Sequence, residues 1–320
     1  MFVRRLLKIL KERLLNMSLQ KQKFLKVLGE FGLIKRLSKK AFVAKNVVKG
    51  IGDDTAVLPF TKSKYLLFTT DLLCEGVHFT RKENPFLIGR KALACSLSDI
   101  AAMGGVPTSA VVSVGLPKKC SVHFADEMYR GLNTLAKKFK TSIVGGDTVQ
   151  SEKLIINVAM LGEVEKTKLV LRSGARQGDQ IFVTGALGRS LKTRKHLSFT
   201  PRLKEAAYLV SRFQPSAMID ISDGLAADLG HILEESNKNA VLDEVAIPKA
   251  KGASIDQALF DGEDFELVFT LSRKQASRIF MQKHLKVFWV GEITGQGYGL
   301  SLRDLKGKVK KIVAKGYKHF

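Results

Sequence analysis

Acidic residues are scarce in this chain: 30 Asp and Glu stand against 53 Lys and Arg, a formal charge of +23 over 320 residues. Cysteine is scarcer still. Cys74, Cys95 and Cys120 are odd in number and lack C-x-x-C spacing. That argues against a disulfide scaffold, a zinc ribbon or a dithiol redox site, and for reduced thiols in a cytoplasmic protein. No apolar run reaches the roughly 18 residues that a membrane-spanning helix needs. Stretches such as LIINVAML suit a single strand, so the chain reads as soluble. Only 7 prolines and no low-complexity run occur, while 45% of residues are hydrophobic, which excludes a disordered chain. Three phosphate-binding signatures are missing as well: the G-x-x-x-x-G-K-[ST] loop, the H-R-D catalytic loop, and a strand leading into G-x-G-x-x-G. A chain built this way would handle a nucleotide mainly through metals.

The positive surplus is uneven. About half of it lies in the first fifty residues, where Glu12 and Glu30 are the only acids, and a second basic run, KGKVKKIVAKGYK, lies near the end. Basic arms suit nucleic acid or an anionic surface. Few aromatic residues interleave with them compared with what stacking sites require, and Leu6, Ile9, Leu10 and Leu14 fall at helical spacing, the pattern of a packed surface helix. The surface helix is the favoured reading. Residues 1–22 form a basic extension without the cleavage site or apolar core of a secretory signal, and Met17 leaves an alternative start open.

The length suits two domains, with a join near Glu163–Lys168 that divides the chain into 23–163 and 164–320. In the first part, a strand over Tyr65–Thr70 precedes the helix NPFLIGRKALACSLSDIAAMGG. Pro85 suits its first turn, Leu93, Leu97 and Ile100 share a face, and Gly104-Gly105 stops it. Ser121 caps a helix running to about Phe139, between the strands TSAVVSVGLP, TSIVGG and LIINVAMLG. The second part repeats the mixture through DQIFVTG, RLKEAAYLVSRF, SAMIDIS, a helix after Gly224, DFELVFTL and LKVFWVGEI. The fold class is α/β with mixed sheets, two layers in series.

The few acids outside helical surfaces gather beside Gly, Ser or Thr at element ends: Asp53 and Asp54 in GDD, Asp71 after Thr69 and Thr70, Asp99 in SLSD, Asp147 in GGDT, and Asp220, Ser222 and Asp223 in IDISDG. Any one alone reads as a turn or cap. Together they offer the carboxylates and hydroxyls that a hard cation such as Mg²⁺ takes, leaving positions for water and substrate phosphates. Period-two alternation sends Ile219 and Ile221 to one side of a strand and Asp220 and Ser222 to the other. Leu225, Leu229, Ile232 and Leu233 then mark the buried face of the following helix. The glycine-rich VTGALG and GQGYG read as ordinary turns.

GIGDDTAVL, TTDLLCEGVHF, KALACSLSDIAAMGG, IVGGDT, LRSGARQGD, IDISDGLAADLGHI and DGEDFELVFT resemble, in order and spacing, the motifs of the thiamine-monophosphate kinase family, within the aminoimidazole-ribonucleotide-synthetase-like superfamily. KGYKHF is similar to that family's ending, and the resemblance runs from about Gly32 onward. It implies a two-domain fold like aminoimidazole ribonucleotide synthetase, with an N-terminal domain that binds ATP and Mg²⁺ and dimerises and a C-terminal α/β domain. It also implies transfer of the ATP γ-phosphoryl group to thiamine monophosphate by a cytoplasmic homodimer.

Carried over motif by motif, the resemblance implies Asp54, Thr69, Thr70, Asp71, Asp99, Asp147, Asp220 and Asp223 as ligands of several Mg²⁺ ions. It implies Gly146, Asp147, Arg172 and Ser222 as ATP contacts, with Asp147 and Arg172 catalytic, and His78, Glu263 and Tyr317 as contacts of the thiamine substrate. By itself His78 reads as a satisfied core histidine, Tyr317 as a surface aromatic and Glu263 equally as a turn cap. The chain departs from the family's pattern in its basic extension and in the short, basic stretch RSLKTRKHLSFT. Another ATP-dependent member of the superfamily is the nearest alternative, although no Cys stands beside a catalytic Lys in an N-terminal glycine-rich loop, as selenophosphate synthetase needs. A nucleic-acid-binding protein acting through basic arms leaves the acids unexplained.

Overall fold

The computed structural model describes residues 25–282, 284–317 and 319. The basic extension 1–22, its helical leucines and Met17 lie outside the described residues. Residues 25–43 and 319 belong to one compact unit and 44–317 to another. The first holds helix α1 (Leu25–Ser38), broken by a left-handed turn at Gly29, and the His319 N–H donates to Glu30 at 3.2 Å.

The second unit opens with β1 (Ala56–Pro59), β2 (Lys64–Cys74), α2 (Pro85–Ala102), β3 (Val106–Leu116), α3 (Val122–Phe139), β4 (Ser142–Gln150) and β5 (Ile155–Glu165). Its five strands form one sheet, ordered β1-β2-β5-β3-β4. Only the β3–β4 pair is parallel. The local signals act as expected: Asn84 caps α2 just before Pro85, Ser121 caps α3, and Gly104 takes φ 71 beyond the end of α2. The two helices cross in backbone contact. A Cβ at Gly89 would stand 1.9 Å from the Met128 carbonyl oxygen, and one at Gly131 1.9 Å from that of Phe86, so only glycine fits at either point.

Helix α2 is buried on nearly every side between the first sheet and the elements that follow. Alternation along β2 turns Leu67, Thr69, Asp71 and Leu73 toward it. Phe68, Thr70 and Leu72 point the other way, onto a sheet face where Val111 and Val144 are also exposed.

After Glu165 come β6 (Gln180–Val183), α4 (Ser190–Thr193), α5 (Lys195–Ser198), α6 (Leu203–Arg212), β7 (Ala217–Asp220), α7 (Leu225–Ser236), β8 (Asn239–Asp243), α8 (Ile255–Phe260), β9 (Leu267–Leu271), α9 (Arg273–Ile279), β10 (Phe288–Thr294), β11 (Leu300–Arg303) and β12 (Val309–Ile312). The strands form a second mixed sheet, β12-β11-β8-β10-β6-β9-β7, parallel only at β8–β11. Leu225, Leu229, Ile232 and Leu233 pack with Ile219 and Ile221 in its core. The strand around Asp220 is shorter than its alternation predicts. It ends at Asp220, and the chain turns through Ser222, Asp223 and Gly224, which takes φ 118. Ser222 therefore leaves the strand instead of projecting beside Asp220. The turn-rich GIGDDTAVLPF contains a strand, β1, that its composition conceals.

Candidate active site

Four of the acids that sequence pattern singles out reach one place, each from a different element. Asp54 comes from the turn before β1, Asp71 from β2, Asp99 from α2 and Asp220 from the end of β7. Carboxylate oxygens of Asp54, Asp99 and Asp220 all lie within 4.8 Å of one another. Each acid is oriented by a neighbour. Thr69 Oγ1 donates to Asp99 at 2.5 Å, Ser96 Oγ to Asp71 at 2.6 Å and Ser98 Oγ to Asp220 at 2.6 Å. The Arg172 Nη2 donates to Asp54 Oδ1 at 2.7 Å, and the Arg172 backbone N–H points at both oxygens of Asp53, 3.3 Å away.

These hydrogen bonds do not balance the charge. Burial pushes Asp220 up to about 8, with Asp54 and Asp71 adding repulsion. Burial and Asp54 carry Asp53 to about 7. Burial and Asp54 likewise lift Asp71 to about 6, and burial with the Asp71 and Asp220 charges holds Asp99 well above the usual carboxylate range. Burial also raises Asp54, against the pull of Arg172. Two carboxylates no more than 4.8 Å apart repel by at least roughly 3–4 kcal/mol at an effective dielectric of about 20, more than one guanidinium can relieve across the whole set. Asp54 Oδ2 is buried and has no hydrogen-bond partner among the described residues. An all-oxygen cluster, short of positive charge and holding an orphaned carboxylate oxygen, fits a hard divalent cation.

Other expected site residues form a second group. Asp228, buried in the first turn of α7, accepts the N–H groups of Asp223 and Gly224, both at 3.0 Å, and so holds the IDISDG turn. The Ser222 carbonyl accepts from Glu263 N at 2.6 Å, and the Asp223 carbonyl from Tyr317 N at 3.1 Å. Ser222, Asp223, Glu263 and Tyr317 thus share one backbone knot. Gly316 permits it, because a Cβ there would stand 2.1 Å from the Asp223 oxygen. His78 accepts from the Cys74 N–H at Nδ1, 3.0 Å away. The buried Lys91 joins it to the knot by donating to the His78 carbonyl at 2.8 Å and pairing with Glu263.

Thr70, Gly146 and Asp147 stand apart. The register sets Asp147 opposite Ser113 and Ser113 opposite Asn157, and Asn157 Nδ2 donates to Thr70 Oγ1 at 2.8 Å. Thr70 and Asp147 therefore lie on the exposed sheet face, and no hydrogen bond or ion pair among the described residues ties them to the acid cluster. Gly146 sits where β4 presses on β3, since a Cβ would meet the Val112 oxygen at 1.8 Å.

Pattern reading passed over Lys91, Ser96, Ser98 and Asp228. A signal for the first three was present, because they are the polar positions inside KALACSLSDIAA, a helix otherwise apolar throughout. Asp228 reads as one more exposed helix acid until the fold buries it.

Residues 52–164 match the family described as AIR synthase related protein, N-terminal domain. The thiamine-monophosphate kinase of Buchnera aphidicola subsp. Schizaphis graminum is 38% identical over 312 residues, covering 86% of this chain and 94% of that protein. The one from Aquifex aeolicus is 34% identical over 325 residues, covering 92% and 99%. Among solved structures, AaThiL complexed with AMPPCP and TMP superposes with a TM-score of 0.83 at 34% identity, covering 94% of this chain and 100% of that one.

Proposed function

This chain belongs to the thiamine-monophosphate kinase family, and we propose that it moves the γ-phosphoryl group of ATP onto the phosphate of thiamine monophosphate, giving thiamine diphosphate and ADP. The observation that carries the reading is the buried cluster of Asp54, Asp99 and Asp220, joined by Asp71 and Thr69 and short of positive charge. A similar protein accommodates AMPPCP, an ATP analogue, together with TMP.

Asp54, Asp71, Asp99 and Asp220, with Thr69, Thr70, Asp147 and Asp223, would hold Mg²⁺, which supplies neutralising charge between the donor and acceptor phosphates. Arg172, fixed by Asp53 and Asp54, presents a permanent cation to the transferred group. Gly146 and Ser222 offer close backbone approach and a hydroxyl to the nucleotide, and Asp147 joins Arg172 at the reacting phosphates. The acceptor oxygen belongs to a phosphate whose second pKa is about 6. It is already ionised near neutral pH, so the chain needs no general base. Positioning is what remains for the protein to supply, and His78, Glu263 and Tyr317 would do so for the thiamine moiety, the aromatic ring suiting a cationic heterocycle.

The exposed face carrying Phe68, Leu72, Val111 and Val144 supports a homodimer built through the first sheet, since apolar patches of this kind mark interfaces. Thr70 and Asp147 lie on that face, which ties their part in the site to dimer formation. The domain division at about 163 and 164 is supported by the end of the first sheet at Glu165 and the start of the second at Gln180. Three free thiols support a cytoplasmic setting, and no helix among the described residues is long and apolar enough to cross a membrane. The experiment is direct: incubate the purified protein with ATP, Mg²⁺ and thiamine monophosphate, with formylglycinamidine ribonucleotide in parallel, and resolve the products. Thiamine diphosphate and ADP in equal amounts are expected. A folded protein that makes neither overturns the reading.

A further inference from the structure

Lys91 is among the largest fully buried side chains of the described residues, and it is a charged one. Burying an ammonium is costly unless carboxylates and carbonyls surround it. Its partners here are the two positions assigned to the acceptor: the carbonyl of His78, 2.8 Å away, and the carboxylate Oε2 of Glu263. His78 follows β2 in the first half and Glu263 precedes β9 in the second, so one cation pins both halves of the chain at this point.

Two details separate this pair from an ordinary core ion pair. First, Glu263 takes φ 67, a left-handed conformation costing a non-glycine residue roughly 1–2 kcal/mol. The surrounding hydrogen bonds enforce it, Glu263 N to the Ser222 carbonyl at 2.6 Å and Phe265 N to that of Ile221 at 2.8 Å. Second, the pair is lopsided. The Lys91 side chain is 0% exposed but that of Glu263 20%, and Oε1 accepts no hydrogen bond from the described residues. One carboxylate oxygen is tied from beneath and the other is left open. Helix geometry sets the scale: Lys91 and Asp99 lie about two turns apart, about 12 Å along α2, so Asp99 stands near the end of a rigid helix and this cation near its middle.

We propose that Lys91 is a positioning residue for the acceptor substrate. It holds and aims the Glu263 carboxylate, so that the open oxygen receives the N–H-donating aminopyrimidine ring of the cationic substrate, and it never touches substrate itself. The inference rests on the thiamine-monophosphate kinase reading, with Glu263 in the acceptor site.

The test measures KM for thiamine monophosphate and for ATP, kcat and Tm with saturating Mg²⁺ in the wild type, Lys91→Met, Glu263→Gln and the double variant. Lys91→Met is expected to raise KM for thiamine monophosphate at least tenfold, to leave KM for ATP within twofold, and to add less than twofold in the Glu263→Gln background. A residue that only holds the core together would lower Tm and degrade both KM values in both backgrounds, and that result overturns the proposal. So does a KM for thiamine monophosphate within twofold of wild type in Lys91→Met while Glu263→Gln raises it. No thiamine diphosphate from wild type, or an unchanged KM in Glu263→Gln, strikes the underlying reading instead and removes this inference with it. Lys91→Gln keeps a donor for the His78 carbonyl and supplies the same comparison, with the same criteria, if the Met variant does not fold.

Discussion

Two clusters of buried acids lie in the same unit and behave in opposite ways. Around Glu266, Arg202 donates through Nε and Nη2 at 2.7 and 2.8 Å, Lys195 at 2.9 Å and Thr184 at 2.8 Å. Although burial works to raise it, these partners hold the Glu266 carboxyl below its ordinary value. Around Asp220 the only hydrogen-bond donor among the described residues is the Ser98 hydroxyl, and the carboxyl climbs to about 8. The first cluster brings its own cations and is complete; the second sets its acids against a single guanidinium, that of Arg172. Burial of acids alone therefore does not mark a binding site. Burial without internal compensation does.

The comparison breaks most visibly on single amide substitutions. Asp220→Asn is expected to lower kcat by at least a thousandfold while leaving the metal-free protein as stable as wild type or more so, because the buried carboxyl it replaces is already mostly protonated near neutral pH. Steady-state rates and Tm in EDTA check both halves of that statement, and activity within tenfold of wild type would dissolve the metal role of the cluster. Glu266→Gln should do the reverse. It leaves Arg202 and Lys195 facing a neutral amide and is expected to cost about 3 kcal/mol of stability, the low end for a broken buried pair because both cations remain partly exposed. Urea denaturation reads that loss, and KM for ATP is expected to stay within twofold.

A pH series sharpens the same contrast at smaller amplitude. Asp220, Asp53 and Asp71, at about 8, 7 and 6, all titrate above the unfolded value of 3.8. The folded, metal-free protein therefore binds more protons than the unfolded chain between pH 4 and pH 8. Their contribution to stability is complete below the unfolded value and is lost as pH rises through the folded ones, by up to about 1.4 kcal/mol per unit for each group. On the proposed reading Mg²⁺ competes with those protons, so the rise in Tm on adding excess Mg²⁺ is expected to grow from pH 6 to pH 8.5. A rise that stays flat or shrinks would mean that the ion binds elsewhere.

How much of this was legible beforehand depended on length scale. Patterns confined to one element were readable: Pro85 and Ser121 as helix starts, the face of Leu225, Leu229, Ile232 and Leu233, and the acids beside small residues at element ends. What resisted reading was either very short or set by partners far along the chain. β1 has four residues inside a turn-rich stretch, too few for alternation to show. The two roles of TTD, with Thr69 and Asp71 inward and Thr70 outward, follow from period two once the buried face is known, and that face is decided by α2. Asp228 carries no local signal of burial, because a charged residue in a helix ordinarily faces solvent, and only the IDISDG turn places it inside; Lys91 stands out as a polar position in an apolar helix, but its partners lie far along the chain.

The smallest expected effect isolates why the acid cluster keeps a serine where the Glu266 cluster has arginine. Ser98 lies on α2 one residue before Asp99, and its hydroxyl is the one hydrogen bond that lowers Asp220 against its burial. Ser98→Ala removes that bond without removing a charge, so Asp220 holds its proton to a higher pH and a cation at pH 7 must displace it at greater cost. One hydrogen bond to a carboxylate is worth about 1 kcal/mol, or roughly fivefold in affinity, so the half-saturating Mg²⁺ concentration for turnover should rise about fivefold at pH 7 and converge on wild type near pH 9.5, where Asp220 is ionised in both proteins. A deficit that persists unchanged at pH 9.5 would mean that Ser98 acts by packing instead, and that the cluster tolerates its charge by some means other than a hydroxyl replaced, on loading, by a metal.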